Sequence, residues 1–268
     1  MTFFGKATVS TRNLLALGML LPSLMLMTCA DHNTHSFRVE GLELVTRQVN
    51  EQCMPSGEGP EIVSGKMDIR FADAYMVYPK LVNHLPPKQQ AGEKSQGFIT
   101  YHMENNHMYL TGVTLNYTVN STDPLGAALA KFLPTDYFVN LSGYIPVGAE
   151  TEVPLEVPAI PTELGQNIRA SKILAEMFAS VEILVHMTFE AVLLDNSVVY
   201  SNDYVFPLRV CNTCMLMVPP DPEYDCCAQE IEESDIPCRF GQDEPVQCKA
   251  CCTQFAYDST LCNYVTLD

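Results

Sequence analysis

A chain of 268 residues, 47% hydrophobic and 18% charged, has enough apolar content to bury a core and is too apolar to stay disordered. Its formal net charge of −17 repels phosphate backbones and anionic headgroups, which sets aside nucleic-acid binding and electrostatic docking on membranes. The length suits one large domain or a domain with a smaller module.

Lys6 and Arg12 precede an uncharged run from Leu14 to Met27, broken only by Pro22 and Ser23. That order of charge and then apolar residues is an export signal, and the run is shorter than the ~20 residues a bilayer span needs. Residues 1–30 are expected to be this signal. Leu26-Met27-Thr28-Cys29 matches a bacterial lipobox in part, with Met27 and Thr28 standing where smaller residues are usual. Two outcomes stay open: acylation of Cys29 after cleavage before it, or ordinary cleavage after Ala30. Either removes Lys6 and Arg12 and no acidic residue, taking the net charge from −17 to −19.

Residues 31–210 carry period-two alternation with turn residues between runs, so a mainly β, antiparallel sandwich of immunoglobulin-like type is expected. Strands are predicted over Phe37–Val45, Lys66–Val77, Thr114–Val119 and Tyr137–Ile145. Asn105-Asn106 predicts a hairpin that brings Ile99, Tyr101, Met103, Met108 and Leu110 to one face. The proline-rich stretch from Val153 to Pro161 suits only an edge or connecting segment. One covering helix should follow, capped by Thr162, with Leu164, Ile168, Ala175 and Phe178 as its apolar stripe. The clearest hairpin runs from Val181 to Leu208. With Asp195 and Asn196 as its turn, Leu193 opposes Val198, Ala191 opposes Tyr200, Met187 opposes Tyr204 and Val185 opposes Phe206.

Residues 211–268 read as a small module stapled by disulfides, because nine cysteines fall between Cys211 and Cys262. The mature cysteines are Cys53, Cys211, Cys214, Cys226, Cys227, Cys238, Cys248, Cys251, Cys252 and Cys262. Nine tail thiols cannot all pair among themselves, so full oxidation requires Cys53 to bond one of them. The pairs Cys211/Cys214 and Cys248/Cys251 also have the spacing of a four-thiolate zinc site, a reading that export to an oxidising compartment disfavours. A redox-active pair would want its first thiol at a helix N-terminus, whereas Cys211 follows a strand-like run.

No nucleophile elbow, zinc-protease helix, P-loop or dinucleotide fingerprint occurs. The rival to a structural reading is the polar face of His102, Glu104 and His107, two imidazoles and a carboxylate that suit a transition metal or a hydrolytic site. Asp221, Glu223, Asp225, Glu230, Glu232, Glu233 and Asp235 make the tail acidic without the spacing of a calcium loop. Asn116, Asn120 and Asn140 begin glycosylation sequons, which act only in a eukaryotic secretory pathway.

Leu26 to Cys29, the Val210-Cys211-Asn212-Thr213-Cys214 junction, and Phe240-Gly241-Gln242-Asp243 followed by Cys248-Lys249-Ala250-Cys251 together resemble uncharacterised cysteine-rich-tailed envelope lipoproteins of myxobacteria and allied Gram-negative bacteria. The resemblance implies envelope placement, and Ala30 after Cys29 implies sorting to the outer membrane. The sequence therefore leads to the expectation of a non-enzymatic, exported envelope protein, lipid-anchored or free in the periplasm or outside the cell. It is expected to bind a protein or glycan and to use no cofactor.

Overall fold

The apolar alternation of the middle of the chain becomes two sheets around one core. The structure, a computed structural model, describes residues 36–47, 52–55, 61–86, 106–150, 154–176, 178–217, 227, 231–232 and 236–254. In chain order its elements begin with β1 (Phe37–Glu43), β2 (Val45–Arg47), β3 (Cys53–Pro55), β4 (Gly65–Asp68), β5 (Tyr75–Asn83), β6 (Met108–Val119), α1 (Pro124–Leu129) and β7 (Tyr137–Ile145). There follow β8 (Val157–Ile160), α2 (Thr162–Ala170), β9 (Ser180–Leu193), β10 (Val198–Tyr200), β11 (Tyr204–Cys211), β12 (Leu216–Met217), β13 (Val246–Gln247) and α3 (Cys248–Gln254).

The larger sheet has the order β4-β11-β9-β6-β7, with β10 pairing β9, and it curls into a half-barrel. The smaller sheet is β1-β5-β8. Phe37, Leu42, Tyr75 and Leu81 from the smaller sheet and Val113, Leu115, Val185, Phe189 and Phe206 from the larger share one buried cluster. The chain is thus mainly β with few helices, as expected, but the expected all-antiparallel arrangement is broken: β4 runs parallel to β11. A parallel neighbour needs a long connection, and here it spans the whole stretch from Asp68 to Tyr204.

The proline-rich stretch does form an edge, β8, where Pro158 has no N–H to offer a further strand. Helix α2 buries Leu164 and Ile168 and stops at Ala170. Pro161, not Thr162, takes the capping position and makes no side-chain cap bond. Ala175 and Phe178 lie beyond the helix, and Phe178 is 60% exposed with a positive φ of 62°. Gly165 lets α2 press on the turn before β5, since a Cβ there would lie 1.8 Å from the Asp73 carbonyl oxygen. A helix unforeseen in the sequence, α1, starts at Asp123, whose carboxylate accepts from the Leu125 and Gly126 amides.

The long hairpin is half as expected. Between β9 and β11, Tyr204 pairs with Met187 and Phe206 with Val185. Nearer the turn the register slips by one: Val198 pairs with Val192, Val199 with Ala191 and Tyr200 with Glu190. The turn is wider than two residues, with Asn196 at φ 65° and Leu193 N–H donating to the Ser197 carbonyl. The irregularity at residues 201–203 then restores the register. Ser201 Oγ accepts the Phe189 amide at 2.9 Å, and Asn202 Oδ1 accepts the Val39 amide at 2.8 Å, tying β1 to the larger sheet's hairpin. The slip turns Val198 and Tyr200 to solvent, 48% and 57% exposed, and packs Val199 against the core.

Residues Ser36–Asp268 form one compact unit. A second small cluster joins Phe71 of the β domain to the tail's Leu216, Val246, Cys248, Cys251 and Cys252, and the tail is further laced into the domain by polar side chains. Gly241, at φ 70°, presents its carbonyl to the Asp68 amide at 2.8 Å. Gln242 pairs with the Met76 backbone through both ends of its amide, accepting the N–H at 3.1 Å and donating to the carbonyl at 2.5 Å. Asp243 accepts the Lys66 amide at 2.8 Å and the Tyr75 hydroxyl at 2.7 Å. Burial outweighs these donors and raises the Asp243 carboxyl above its ordinary value, and burial likewise keeps the Tyr75 hydroxyl protonated.

Candidate functional site

The cysteines come first, because their pairing removes some chemistries. Cys53 is bonded to Cys238, Cys211 to Cys214 and Cys227 to Cys252, and Cys248 and Cys251 are also disulfide-bonded. Cys29, Cys226 and Cys262 lie outside the described residues. These bonds fit an oxidising, extracytoplasmic environment. Among the described residues no helix is long and apolar enough to cross a membrane.

All four cysteines of the two Cys-x-x-Cys pairs are in disulfides, so the thiolates of a four-sulfur zinc site are not available. Asp68 comes within 4.8 Å of both Cys211 and Cys214 sulfurs. Its oxygens are already occupied: Oδ1 accepts from the Thr213 and Arg70 amides at 2.8 and 3.1 Å, and Oδ2 from the Met215 amide at 3.0 Å. Burial still raises this carboxyl above its ordinary value. Asp68 holds the Cys211–Cys214 loop onto the end of β4, and Thr213, at φ 63°, bends round it.

Of the expected polar face, His102 and Glu104 lie outside the described residues. His107 does not wait for a ligand at Nδ1, which accepts from the Tyr144 hydroxyl at 3.0 Å and the Val147 amide at 3.3 Å. It belongs instead to an aromatic cluster. Its ring centroid lies 5.3 Å from that of Tyr144, which lies 5.4 Å from Tyr109 across the β6–β7 pair.

That cluster opens the solvent side of the larger sheet, the side away from the core. Ladder pairing sets Tyr144, Tyr109, Val192 and Val198 in one row across β7, β6, β9 and β10. The next outward row holds Asn140, Gly112, Glu190 and Tyr200. Phe138 follows on β7, lying over Gly112, where a Cβ would meet its ring at 2.2 Å. Tyr109, Tyr144 and Phe138 are 43%, 38% and 44% exposed. Between the rings are hydrogen-bonding groups, among them Thr111, whose hydroxyl donates to Glu190 Oε1 at 2.7 Å.

Farther along the same face is a constellation that single-strand spacing could not reveal. His186 Nδ1 is 2.9 Å from Asp203 Oδ2, and His186 Nε2 is 3.2 Å from Thr118 Oγ1. The carboxylate places the imidazole proton on Nδ1, leaving Nε2 to accept from the hydroxyl. Hydroxyl, imidazole and carboxylate in that order can move a proton off Thr118. The site is open to water, with the Asp203 side chain half exposed. Its three members come from β6, β9 and the β10–β11 connection, so only the folded ladder unites them.

No known protein family, curated protein or solved structure matches the chain.

Proposed function

We propose that this is an exported, non-enzymatic envelope module that binds glycan on the solvent side of its larger sheet. One observation carries the reading: a row of exposed rings, Tyr109 and Tyr144, flanked by Phe138 and Tyr200 and interleaved with Thr, Asn and Glu side chains. Sugar rings stack their C–H faces on aromatic rings, and their hydroxyls bond to such neighbours; aromatic residues with one polar end suit this task. The acidic chain disfavours anionic polymers. Cys29 anchors the protein to the outer membrane if acylated, and cleavage after Ala30 releases it to the periplasm or beyond. Binding of purified protein to neutral envelope polysaccharide, measured by calorimetry, should fall at least tenfold in Tyr109→Ala/Tyr144→Ala. Unchanged binding in that variant, or capture of a protein instead of glycan from intact envelopes, overturns the reading. Palmitate labelling lost in Cys29→Ala tests the anchor.

The Thr118–His186–Asp203 chain favours a second reading, an extracytoplasmic hydrolase that uses Thr118 as nucleophile. Covalent labelling by a fluorophosphonate, abolished in both Thr118→Ala and His186→Ala, would establish it; no labelling removes it.

A further inference from the structure

A carboxylate drawn partly out of water among apolar groups gains when a cation sits beside it. Glu190 is such a group. It is half-buried on β9, on the solvent side of the larger sheet, and among the described residues no Lys, Arg or His pairs with it. The ladder sets a ring on either side. Tyr200 of β10 is its direct partner and is 57% exposed. On the other side the partner is Gly112 of β6, and the Phe138 ring, 44% exposed, reaches over from β7 into the space a side chain there would take. Directly opposed positions in a sheet hold their Cβ atoms about 5 Å apart, so both rings border the carboxylate.

The carboxylate is also fixed in place. Thr111 donates its hydroxyl to Oε1 at 2.7 Å, which leaves Oε2 to accept from a ligand. The faces of the flanking rings carry the negative part of their quadrupoles. Carboxylate and ring faces therefore attract the same kind of group, a cation with apolar carbon beside it, and repel anions. The chain's net charge of −17 adds a long-range pull of the same sign.

We propose that Glu190, between Tyr200 and Phe138, seats the ammonium group of an amino sugar, so that the glycan bound on this face carries free, unacetylated amines. This rests on the glycan reading and names the sugar. The row of Tyr109 and Val192 lies two residues along β9 from the Glu190 row, about 7 Å away. A sugar stacked on Tyr109 thus carries its amine toward Glu190, and Asn140, in the Glu190 row, is placed to bond its hydroxyls. The ammonium donates to Oε2 in a charge-assisted bond, and the ring carbons beside it lie against the aromatic faces. Acetylation removes the charge and with it both attractions. A Lys side chain offers the same ammonium but no sugar ring for Tyr109.

Calorimetric titration of the full mature chain with a β-1,4-linked glucosamine oligomer and with its N-acetylated counterpart tests the seat. The free amine should bind about tenfold tighter. Glu190→Gln should erase that margin by weakening the amine alone, while Glu182→Gln, the same charge change elsewhere on β9, should leave it intact. Gln keeps the bond from Thr111, so the sheet is undisturbed. If Glu190→Gln does not fold, Tyr200→Leu decides: it keeps an apolar side chain, removes the π face and should lower the margin about threefold. Equal binding of the two oligomers by the wild type, or a margin that survives Glu190→Gln or Tyr200→Leu, overturns the inference and leaves the glycan reading standing. A margin lost in Glu182→Gln, or a lysine oligomer that binds as tightly as the amino sugar, overturns it as well, because the attraction is then one of net charge. If neither oligomer binds, the inference falls, and the glycan reading is decided separately by the neutral polysaccharide and Tyr109→Ala/Tyr144→Ala.

Discussion

The β domain and the cysteine-rich tail solve the same problem by different means. The domain buries Phe37, Tyr75, Phe189 and Phe206 in a cluster drawn from two sheets, and its register follows from which face of each strand must be apolar. The tail's cluster is small, and three of its six buried members are cysteines. It is held by covalent bonds and by polar side chains inserted into the domain. A large core tolerates an ordinary loop chemistry around it; a small one needs each anchor to be a particular residue.

Substitutions can break that contrast at either end. Phe206→Ala, fully buried and 5.9 Å from the Tyr75 ring, should cost about 3–5 kcal/mol in a denaturant titration. Cys53→Ser/Cys238→Ser opens a link between residues 185 apart and should cost about 2–4 kcal/mol. The loss should show as early exposure of the tail to protease while the β-sheet circular dichroism persists; simultaneous loss of both would mean that the two regions melt as one. Asp243→Ala strands the buried Tyr75 hydroxyl and the Lys66 amide and should cost about 1–3 kcal/mol.

Acid should strengthen the seam. Asp243 and Asp68 have carboxyls raised by burial above the model-peptide value of 3.8, so they bind protons more tightly folded than unfolded. Their contribution favours the folded state below that ordinary value and is lost as pH rises through the shifted one. The melting midpoint should therefore climb as pH falls through the raised values toward 3.8, and Asp243→Asn should flatten the climb. The smallest effect tests the hairpin's slipped register: Val198→Ser should change stability by less than about 0.5 kcal/mol, while Val199→Ser should cost more.

Local pattern made the strands legible. Tyr137–Ile145 was readable to the residue because its alternation is bounded by turn residues on both sides. The hairpin around Asp195 was legible as a hairpin but not in its turn-proximal register, since apolar pairs such as Ala191 with Tyr200 or Val199 look equally good on paper. Helix α2 was overextended because Phe178 continues a helical stripe that Lys172, at φ 58°, interrupts. The tail's anchors were illegible for a different reason. Phe240-Gly241-Gln242-Asp243 stands out in the sequence, but its partners Asp68, Met76 and Lys66 are more than 160 residues away, and nothing local encodes them. The same holds for Thr118, His186 and Asp203.

The parallel edge strand sets a timetable. A chain synthesised N-terminus first delivers β4 and β5 early, yet the amides of Lys66 and Met76 find their acceptors in Asp243 and Gln242, and β4 gains its neighbour only when β11 arrives. The early strands must wait, unfinished, until residues 204–243 have followed. The seam thus closes late, and a chain cut short before Gln242 would leave that unfinished edge open to proteases.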